Sequence, residues 1–208
     1  MVTDYEGLEA QFIAGLQSAY ATLDSARVVL SEGRKIGLAI DTPYVLWGYS
    51  SGALAGAALG GTIINTASVI ESVQGMDGGF HDVISYLVDG ERSIYERVPA
   101  PVLDWSRQMG RRGTPTMPLF IYNAFGDEIS PVEDTDKLMQ KYCSGASIEY
   151  HRNLIGEHVT KAIIGSVNTL EWVSDRLAGG PVQNLGSCMA ENILITKGGP
   201  SAISMLGI

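Results

Sequence analysis

The sequence predicts an α/β fold in which helices cover both faces of a mostly parallel sheet. Short apolar runs typical of buried strands alternate with longer stretches whose apolar residues recur every three or four positions, as in amphipathic helices. The 208 residues allow one large domain or two small ones, and a 45% hydrophobic content supports a substantial core. The 25 glycines follow no repeat, which indicates many tight turns rather than a fibre.

The first part of the chain predicts a helix, a strand and the start of another helix. Residues 8–30 carry apolar side chains at steps of three and four, which indicates an amphipathic helix. Residues 43–47 form a short apolar, aromatic-rich run typical of a buried strand, and Gly48 ends it. The small residues 51–59 then begin a helix that the following Gly-Gly pair interrupts.

The later part of the chain predicts two more strands, each followed by a helix. An apolar run at 119–124 is the second strand, and residues 131–142 form a helical stretch after it. Residues 147–152 alternate apolar and polar side chains, as a third strand would, and apolar spacing from 159 to 177 predicts the last helix. The Gly-rich and Pro-broken tail, residues 179–208, shows no clear pattern.

Residues 62–114 interrupt this alternation and are interpreted as an inserted helical cap. They contain an apolar patch at 63–73, a Gly-rich turn and an amphipathic piece around 83–88. The predicted α/β core therefore comprises residues 1–61 and 115–178.

Composition and motif content exclude several functions. With 14 Lys and Arg against 23 Asp and Glu, a net charge of −9 argues against binding to nucleic acid or to anionic membranes. No apolar stretch approaches the roughly 18 residues of a transmembrane segment, and the residues after Met1 do not resemble a signal peptide. We expect no cofactor, because the Gly-rich residues 56–62 lack the Gly-Lys of a phosphate-binding loop.

No metal site is expected either. His81-Asp82 resembles half of a metal phosphohydrolase motif, but no His or Asp cluster accompanies it. Cys143 and Cys188 have no histidine at ligand spacing. These cysteines are either two buried thiols or a disulfide, whose loop closure would contribute about 4 kcal/mol and would imply an oxidising compartment.

A G-x-S-x-G motif, Gly48-Tyr49-Ser50-Ser51-Gly52, lies directly after a predicted strand and before a helix start. A serine at such a turn is held in a strained conformation that small neighbours permit, so its hydroxyl projects from the sheet edge. So short a pattern also occurs in ordinary turns. Its context favours Ser50 as a nucleophile, with the backbone N–H of Ser51 as one oxyanion-hole donor.

A nucleophilic serine needs an acid and a base, and in this kind of fold they follow it in that order. Asp127 lies just past the 119–124 strand, at the sheet edge where Ser50 is also expected. His158 follows after one helix and one strand, the interval of one crossover unit.

The sequence offers other candidate acids and bases. Glu128 could replace Asp127, although the residue nearer the strand end is better anchored. His81 falls in the cap and His151 at a strand end, so both are interpreted as surface or core residues. Glu157 is most simply a solvated loop charge.

The resulting chemistry is ester hydrolysis through an acyl-enzyme. His158 would take the proton of Ser50 as it attacks an ester carbonyl, and Asp127 would fix the imidazole tautomer. Apolar side chains of the cap would line an acyl pocket, which favours an apolar acyl chain over a charged substrate.

Seven stretches of the chain also match a known family pattern. They are Asp4-Tyr5-Glu6-Gly7, Tyr20-Ala21-Thr22-Leu23-Asp24, Leu46-Trp47-Gly48-Tyr49-Ser50, Gly56-Ala57-Ala58-Leu59-Gly60-Gly61-Thr62, Gly126-Asp127-Glu128-Ile129-Ser130-Pro131, Tyr142-Cys143 and Glu157-His158. Through them the chain resembles the fungal secretory lipases of the Candida type, which are lipase A-like members of the α/β-hydrolase superfamily.

The resemblance implies roles for particular residues. Ser50 would be the nucleophile, Asp127 the acid and His158 the base, with residues 62–114 as the lid. It further implies a Cys143–Cys188 disulfide, extracellular localisation, and triacylglycerol or a similar ester as substrate at an interface. It leaves the oligomeric state open.

The chain also departs from the family pattern. It resembles an N-terminally truncated and internally shortened member, so the α/β-hydrolase fold is expected to be incomplete, and Ser51 stands where the family usually has glycine. Two alternatives to a lipase therefore remain. One is an inert fragment or interaction domain that retains the triad residues, and the other is a short-chain esterase, acyltransferase or peptidase.

Overall fold

The computed structural model describes Thr3, residues 15–39, 41–50, 52–53, Asp89, Arg92, 109–110 and 113–194. Most of the expected cap, residues 62–114, lies outside this part of the chain. The elements in chain order are α1 (Gly15–Glu32), β1 (Leu119–Ala124), α2 (Val132–Tyr142), β2 (Ile148–Asn153), α3 (His158–Leu177) and β3 (Cys188–Ile193). A 3-10 turn, Gly33–Ile36, continues α1.

The three strands form one parallel sheet in the order β1-β2-β3. Ile121 pairs with Tyr150, which in turn pairs with Ala190 on β3. Every residue of β1 is buried, as expected for a parallel strand with a layer on each face. The expected parallel α/β arrangement is therefore confirmed.

Helix α2 covers one face of the sheet. Alternate residues of the strands join residues of α2 in one buried apolar cluster, which includes Leu119, Ile121, Leu138, Met139, Tyr142, Ile148 and Tyr150. Successive side chains of a strand point to opposite faces. The remaining residues of β1 therefore face α3.

Helix α3 packs on the other face at very short range. A Cβ added at Gly165 would lie 2.5 Å from ring carbons of Tyr122, so glycine is needed where this helix meets β1. Further along, the rings of Phe120 and Trp172 pack with their centroids 5.9 Å apart. This close packing fixes α3 against β1 and thereby positions the first residue of α3.

The expected strand at 43–47 is absent, which corrects that prediction. These residues belong to no helix or strand, and Tyr44 and Trp47 are 42% and 41% exposed. An apolar run becomes a strand only when a neighbouring strand completes its hydrogen-bond ladder, and within the described ranges none lies beside it.

The helix expected over 8–30 is confirmed where it is described, as α1, and Leu8 and Phe12 lie outside the described residues. Gly52 and Ala53 are helical, as the small residues after the serine motif predicted, and residues 54–60 are not described.

None of the helices in the described ranges is both long and apolar enough to cross a membrane.

The chain after Gly179 contributes a strand that the sequence did not predict. β3 begins at Cys188, and a disulfide joins Cys188 to Cys143, the residue after α2. The bond closes a loop of 45 residues, which on the chain-entropy model stabilises the fold by about 4 kcal/mol. It therefore anchors β3 to the core.

Candidate active site

The serine motif forms a tight turn between the irregular segment 43–47 and a helical start at Gly52. Ser50 has φ 54°, the only positive value for a non-glycine residue in the described ranges. A Cβ added at Gly48 would lie 2.4 Å from the carbonyl group of Gly52, so this approach requires glycine. The backbone N–H of Ala53 donates to the Ser50 carbonyl at 3.0 Å. Ser50 is thus held in the strained conformation expected of a nucleophile turn.

Asp127 lies in the turn that follows β1. Its side chain is buried, and its Oδ1 accepts hydrogen bonds from the backbone N–H groups of Ile129 (3.1 Å) and Ser130 (2.7 Å). Its own N–H donates to the Ala124 carbonyl at 3.1 Å. The local backbone therefore fixes the direction of the carboxylate.

His158 is the first residue of α3, one residue before the start that apolar spacing predicted for this helix. Its imidazole Nδ1 lies 2.9 Å from Oδ1 and 3.0 Å from Oδ2 of Asp127, and both side chains are buried. A carboxylate can only accept, so this geometry favours the proton on Nδ1 and leaves Nε2 free to accept one.

The turns after β1 and β2 meet because both are built with glycine. A Cβ added at Gly126 would lie 2.6 Å from the carbonyl oxygen of Gly156, and Gly156 itself has φ 121°. Since β1 and β2 are adjacent and parallel, their carboxyl ends lie at one edge of the sheet. That edge brings Asp127 and His158 together.

Glu128 contacts the backbone of His158 rather than its ring. Its Oε2 accepts the backbone N–H of His158 at 3.1 Å, one of the N–H groups that a helix leaves unpaired at its start. A carboxylate here also interacts favourably with the positive end of the α3 dipole. The geometry therefore favours Asp127 over Glu128 as the partner of the imidazole.

Tyr49 is a residue of this site that sequence reasoning missed. Its hydroxyl donates to the backbone carbonyl of His158 at 2.8 Å, and the two rings lie 5.1 Å apart. The Tyr49 ring also stacks on the ring of Tyr122, with centroids 5.6 Å apart. Burial, with the charge of Asp127 next in size, raises the pKa of the Tyr49 hydroxyl, which keeps it protonated.

Within the described ranges, the Ser50 hydroxyl makes no hydrogen bond to His158 or Asp127. Ser50 is instead connected to them through its neighbour Tyr49. Ser51, the expected oxyanion-hole residue, lies outside the described residues.

A buried lysine lies one turn along α3 from His158. Lys161 is 1% exposed, and burial lowers its pKa to about 7. Its Nζ lies 5.1 Å from the centroid of the Tyr122 ring.

The remaining histidines do not approach Asp127 in the described ranges. His151 on β2 contacts Glu149 at 3.1 Å and Asn168 at 3.3 Å, and its ring packs edge-on against Phe120 at 4.7 Å. His81 lies outside the described residues. Among those described, no group of His, Cys, Asp and Glu side chains could hold a metal ion.

The overall fold is that of the α/β hydrolases. Over 98% of its length the chain superposes on a crystal structure of Candida antarctica lipase A in its closed state, with a TM-score of 0.71 and 22% identity. It covers 64% of that structure.

A sequence profile of the secretory lipases matches residues 1–58 and 102–184. The chain therefore belongs to the secretory lipase family. It is 28% identical to lipase A of Arthroderma benhamiae, covering 99% of this chain and 58% of the relative. It is 31% identical to the trichothecene C-3 esterase of Fusarium sporotrichioides, covering 84% of this chain and 56% of that enzyme.

The chain thus spans little more than half the length of these relatives. The alignment with the Arthroderma lipase extends over 273 positions, more than the 208 residues of this chain, so that relative contains segments which this chain lacks. Lipases and esterases both occur among the relatives, so the chemistry at the level of the family is ester hydrolysis.

Proposed function

We propose that this chain carries the catalytic triad of a serine carboxylic-ester hydrolase, with Ser50 as nucleophile, His158 as base and Asp127 as the orienting acid. The observation that carries the proposal is the buried hydrogen bond between Asp127 and Nδ1 of His158, 2.9 Å long. The left-handed turn at Ser50, tied to His158 through Tyr49, supports it.

In the first half of the reaction, the Ser50 Oγ attacks the ester carbonyl while Nε2 of His158 takes its proton. The imidazolium that forms is stabilised by the adjacent carboxylate of Asp127. The backbone N–H of Ser51 donates to the oxyanion of the tetrahedral intermediate. As this intermediate breaks down, His158 returns the proton to the departing alcohol and the acyl group remains on Ser50.

In the second half, water attacks the acyl-enzyme. His158 accepts a proton from the water and gives it to Ser50 Oγ as the second tetrahedral intermediate collapses, which releases the carboxylic acid and restores the Ser50 hydroxyl. The residues need no cofactor for either half.

The proposed substrate is a triacylglycerol or a similar ester at a lipid–water interface. Membership of the secretory lipase family supports this class and an extracellular location. The Cys143–Cys188 disulfide is consistent with an oxidising compartment. Residues 62–114 would form a lid over the core of residues 1–61 and 115–178, and their apolar side chains would line the acyl pocket.

A short-chain esterase is the second candidate. The 31% identity to the trichothecene C-3 esterase favours it, because that relative is named as an esterase and not as a lipase. Hydrolysis rates of p-nitrophenyl esters with acyl chains from two to sixteen carbons separate the two. A maximum at long chains supports the lipase, and a maximum at acetate supports the esterase.

The test of the hydrolase itself is labelling with a fluorophosphonate probe, which reacts with activated serines. We expect the recombinant chain to be labelled, Ser50→Ala to be unlabelled, and Ser144→Ala, which alters an exposed serine after α2, to be labelled normally. If a sample that is folded by circular dichroism remains unlabelled, the chain is an inert fragment or interaction domain.

A further inference from the structure

The residue that precedes Ser50 has two separate contacts with His158. The Tyr49 hydroxyl donates to the His158 backbone carbonyl at 2.8 Å, although the two residues are 109 positions apart in the sequence. The Tyr49 ring also packs against the imidazole, with centroids 5.1 Å apart. This residue therefore contacts both the main chain and the side chain of His158.

The ring of Tyr49 is itself held in place. It stacks on Tyr122 at 5.6 Å with an interplanar angle of 20°, and Tyr122 belongs to β1, the fully buried strand. Because the ring is packed on β1, the direction of its hydroxyl is defined before the hydrogen bond forms. The contact with His158 is therefore preorganised.

We propose that Tyr49 is a positioning residue that ties the serine turn to the first residue of α3 and so sets how the His158 imidazole meets the Ser50 hydroxyl. The proposal rests on the proposed function, since it assigns Ser50 and His158 their roles in ester hydrolysis.

Three groups together constrain His158. Asp127 holds the ring at Nδ1, Glu128 accepts the backbone N–H at 3.1 Å, and Tyr49 donates to the backbone carbonyl. Of these three, Tyr49 alone is joined covalently to Ser50. A shift of about 1 Å between reacting groups can cost on the order of 100-fold in rate, so this link is placed where it affects catalysis.

The Tyr49 hydroxyl keeps its proton, and so can donate its hydrogen bond to His158, over a wide pH range. Burial raises the pKa of the Tyr49 hydroxyl, and the charges of Asp127 and Glu128 and the neighbouring Tyr122 add to the rise. The group therefore stays a donor up to at least the ordinary titration range of tyrosine, near pH 10. We expect loss of the hydroxyl to lower the rate by the same factor throughout that range.

The first test is Tyr49→Phe, which keeps the ring and removes only the donor. On a soluble ester we expect kcat to fall about tenfold, the effect of losing one hydrogen bond, with KM unchanged. The matched control is Tyr150→Phe, which removes a buried hydroxyl on the face of the sheet that packs against α2. It is expected to leave kcat unchanged.

The outcomes separate the positioning role from the proposed function. If the unaltered chain is not labelled by fluorophosphonate, the proposed function fails. If it is labelled but Tyr49→Phe retains the full kcat, or Tyr150→Phe loses as much, the positioning role is wrong. A change in KM alone would also overturn it, because a positioning residue acts on the chemical step.

A measurement on the unaltered chain keeps the proposal testable if Tyr49→Phe does not fold. The hydroxyl proton of Tyr49 should exchange slowly enough to be observed by NMR, unlike that of Tyr20, whose side chain is 62% exposed. Equally fast exchange at both tyrosines would contradict the hydrogen bond and with it the proposal.

Discussion

Asp127 and His158 follow two adjacent parallel strands and are joined by a buried hydrogen bond, with 2.9 Å between Oδ1 and Nδ1. Two backbone N–H groups hold the carboxylate and the start of α3 holds the imidazole. An arrangement with so little freedom can keep one tautomer of the histidine. The proposed mechanism requires that tautomer.

Asp127→Asn should abolish most activity without unfolding the chain. The amide oxygen can still accept from the N–H groups of Ile129 and Ser130, but an amide facing Nδ1 favours the wrong tautomer. We expect kcat to fall on the order of 10³–10⁴-fold. The control is Asp136→Asn, which breaks a partly exposed ion pair with Arg152 and should leave kcat unchanged. Equal losses in the two variants would contradict the role of Asp127.

Glu128→Gln should have a small effect on catalysis. Glutamine keeps an acceptor oxygen for the His158 N–H, so we expect kcat to fall less than about threefold. Glu128→Ala removes the acceptor from the start of α3 and should lower the free energy of unfolding by about 1 kcal/mol, measured by urea denaturation. A loss in Glu128→Gln as large as that in Asp127→Asn would make Glu128 the catalytic acid.

The sequence predicted much of this fold and part of this site. The sequence predicted β1, α2, β2 and α3 from apolar runs or apolar spacing, and their observed bounds lie within one residue of those expected. The segment 43–47 has the composition of a strand but no partner strand in the described ranges, and composition cannot reveal the partner. β3 was missed because Cys-Met-Ala-Glu-Asn-Ile has an apolar run of only three residues and no alternation, and its pairing with β2 makes it a strand.

At the site, too, local sequence signals were readable but contacts between distant residues were not. Ser50, Asp127 and His158 could be named from a motif and a chain order, which are local or nearly local signals. Tyr49 and Glu128 act on His158 through contacts 109 and 30 positions apart, which no periodicity encodes. The aromatic side chain inside the serine motif was the one available signal for Tyr49, and its partner could not be inferred from it.

Lys161→Met should stabilise the protein at neutral pH. Burial lowers the folded-state pKa of Lys161 from 10.5 to about 7, so between these values the unfolded chain binds more protons, and stability rises with pH. Methionine removes this penalty, which we expect to raise the free energy of unfolding at pH 7 by up to about 4 kcal/mol and to flatten its rise toward pH 10.

The matched control for Lys161→Met is Lys35→Met, whose side chain is 78% exposed and should change stability little at any pH. Urea denaturation between pH 6 and pH 10 measures both variants. If Lys161→Met and the unaltered chain show the same pH dependence, the amine is charged or hydrated in the folded state.

Gly165→Ala should destabilise the contact between α3 and β1. The new methyl group would lie 2.5 Å from the Tyr122 ring, so helix or ring must move, at a cost of about 1–3 kcal/mol in thermal or urea unfolding. In Gly145→Ala the nearest atom, on Thr114, is 3.7 Å away, an ordinary contact. A Gly165→Ala protein as stable as Gly145→Ala would show that the packing can relax.

The most direct test of the central claim is to locate a fluorophosphonate adduct by peptide mass spectrometry. Ser50 and Ser51 are adjacent in the motif, so fragmentation of the labelled peptide distinguishes them. We expect a single adduct on Ser50 that is lost in His158→Ala. An adduct on Ser51, or none on a folded sample, would contradict the role of Ser50 as nucleophile.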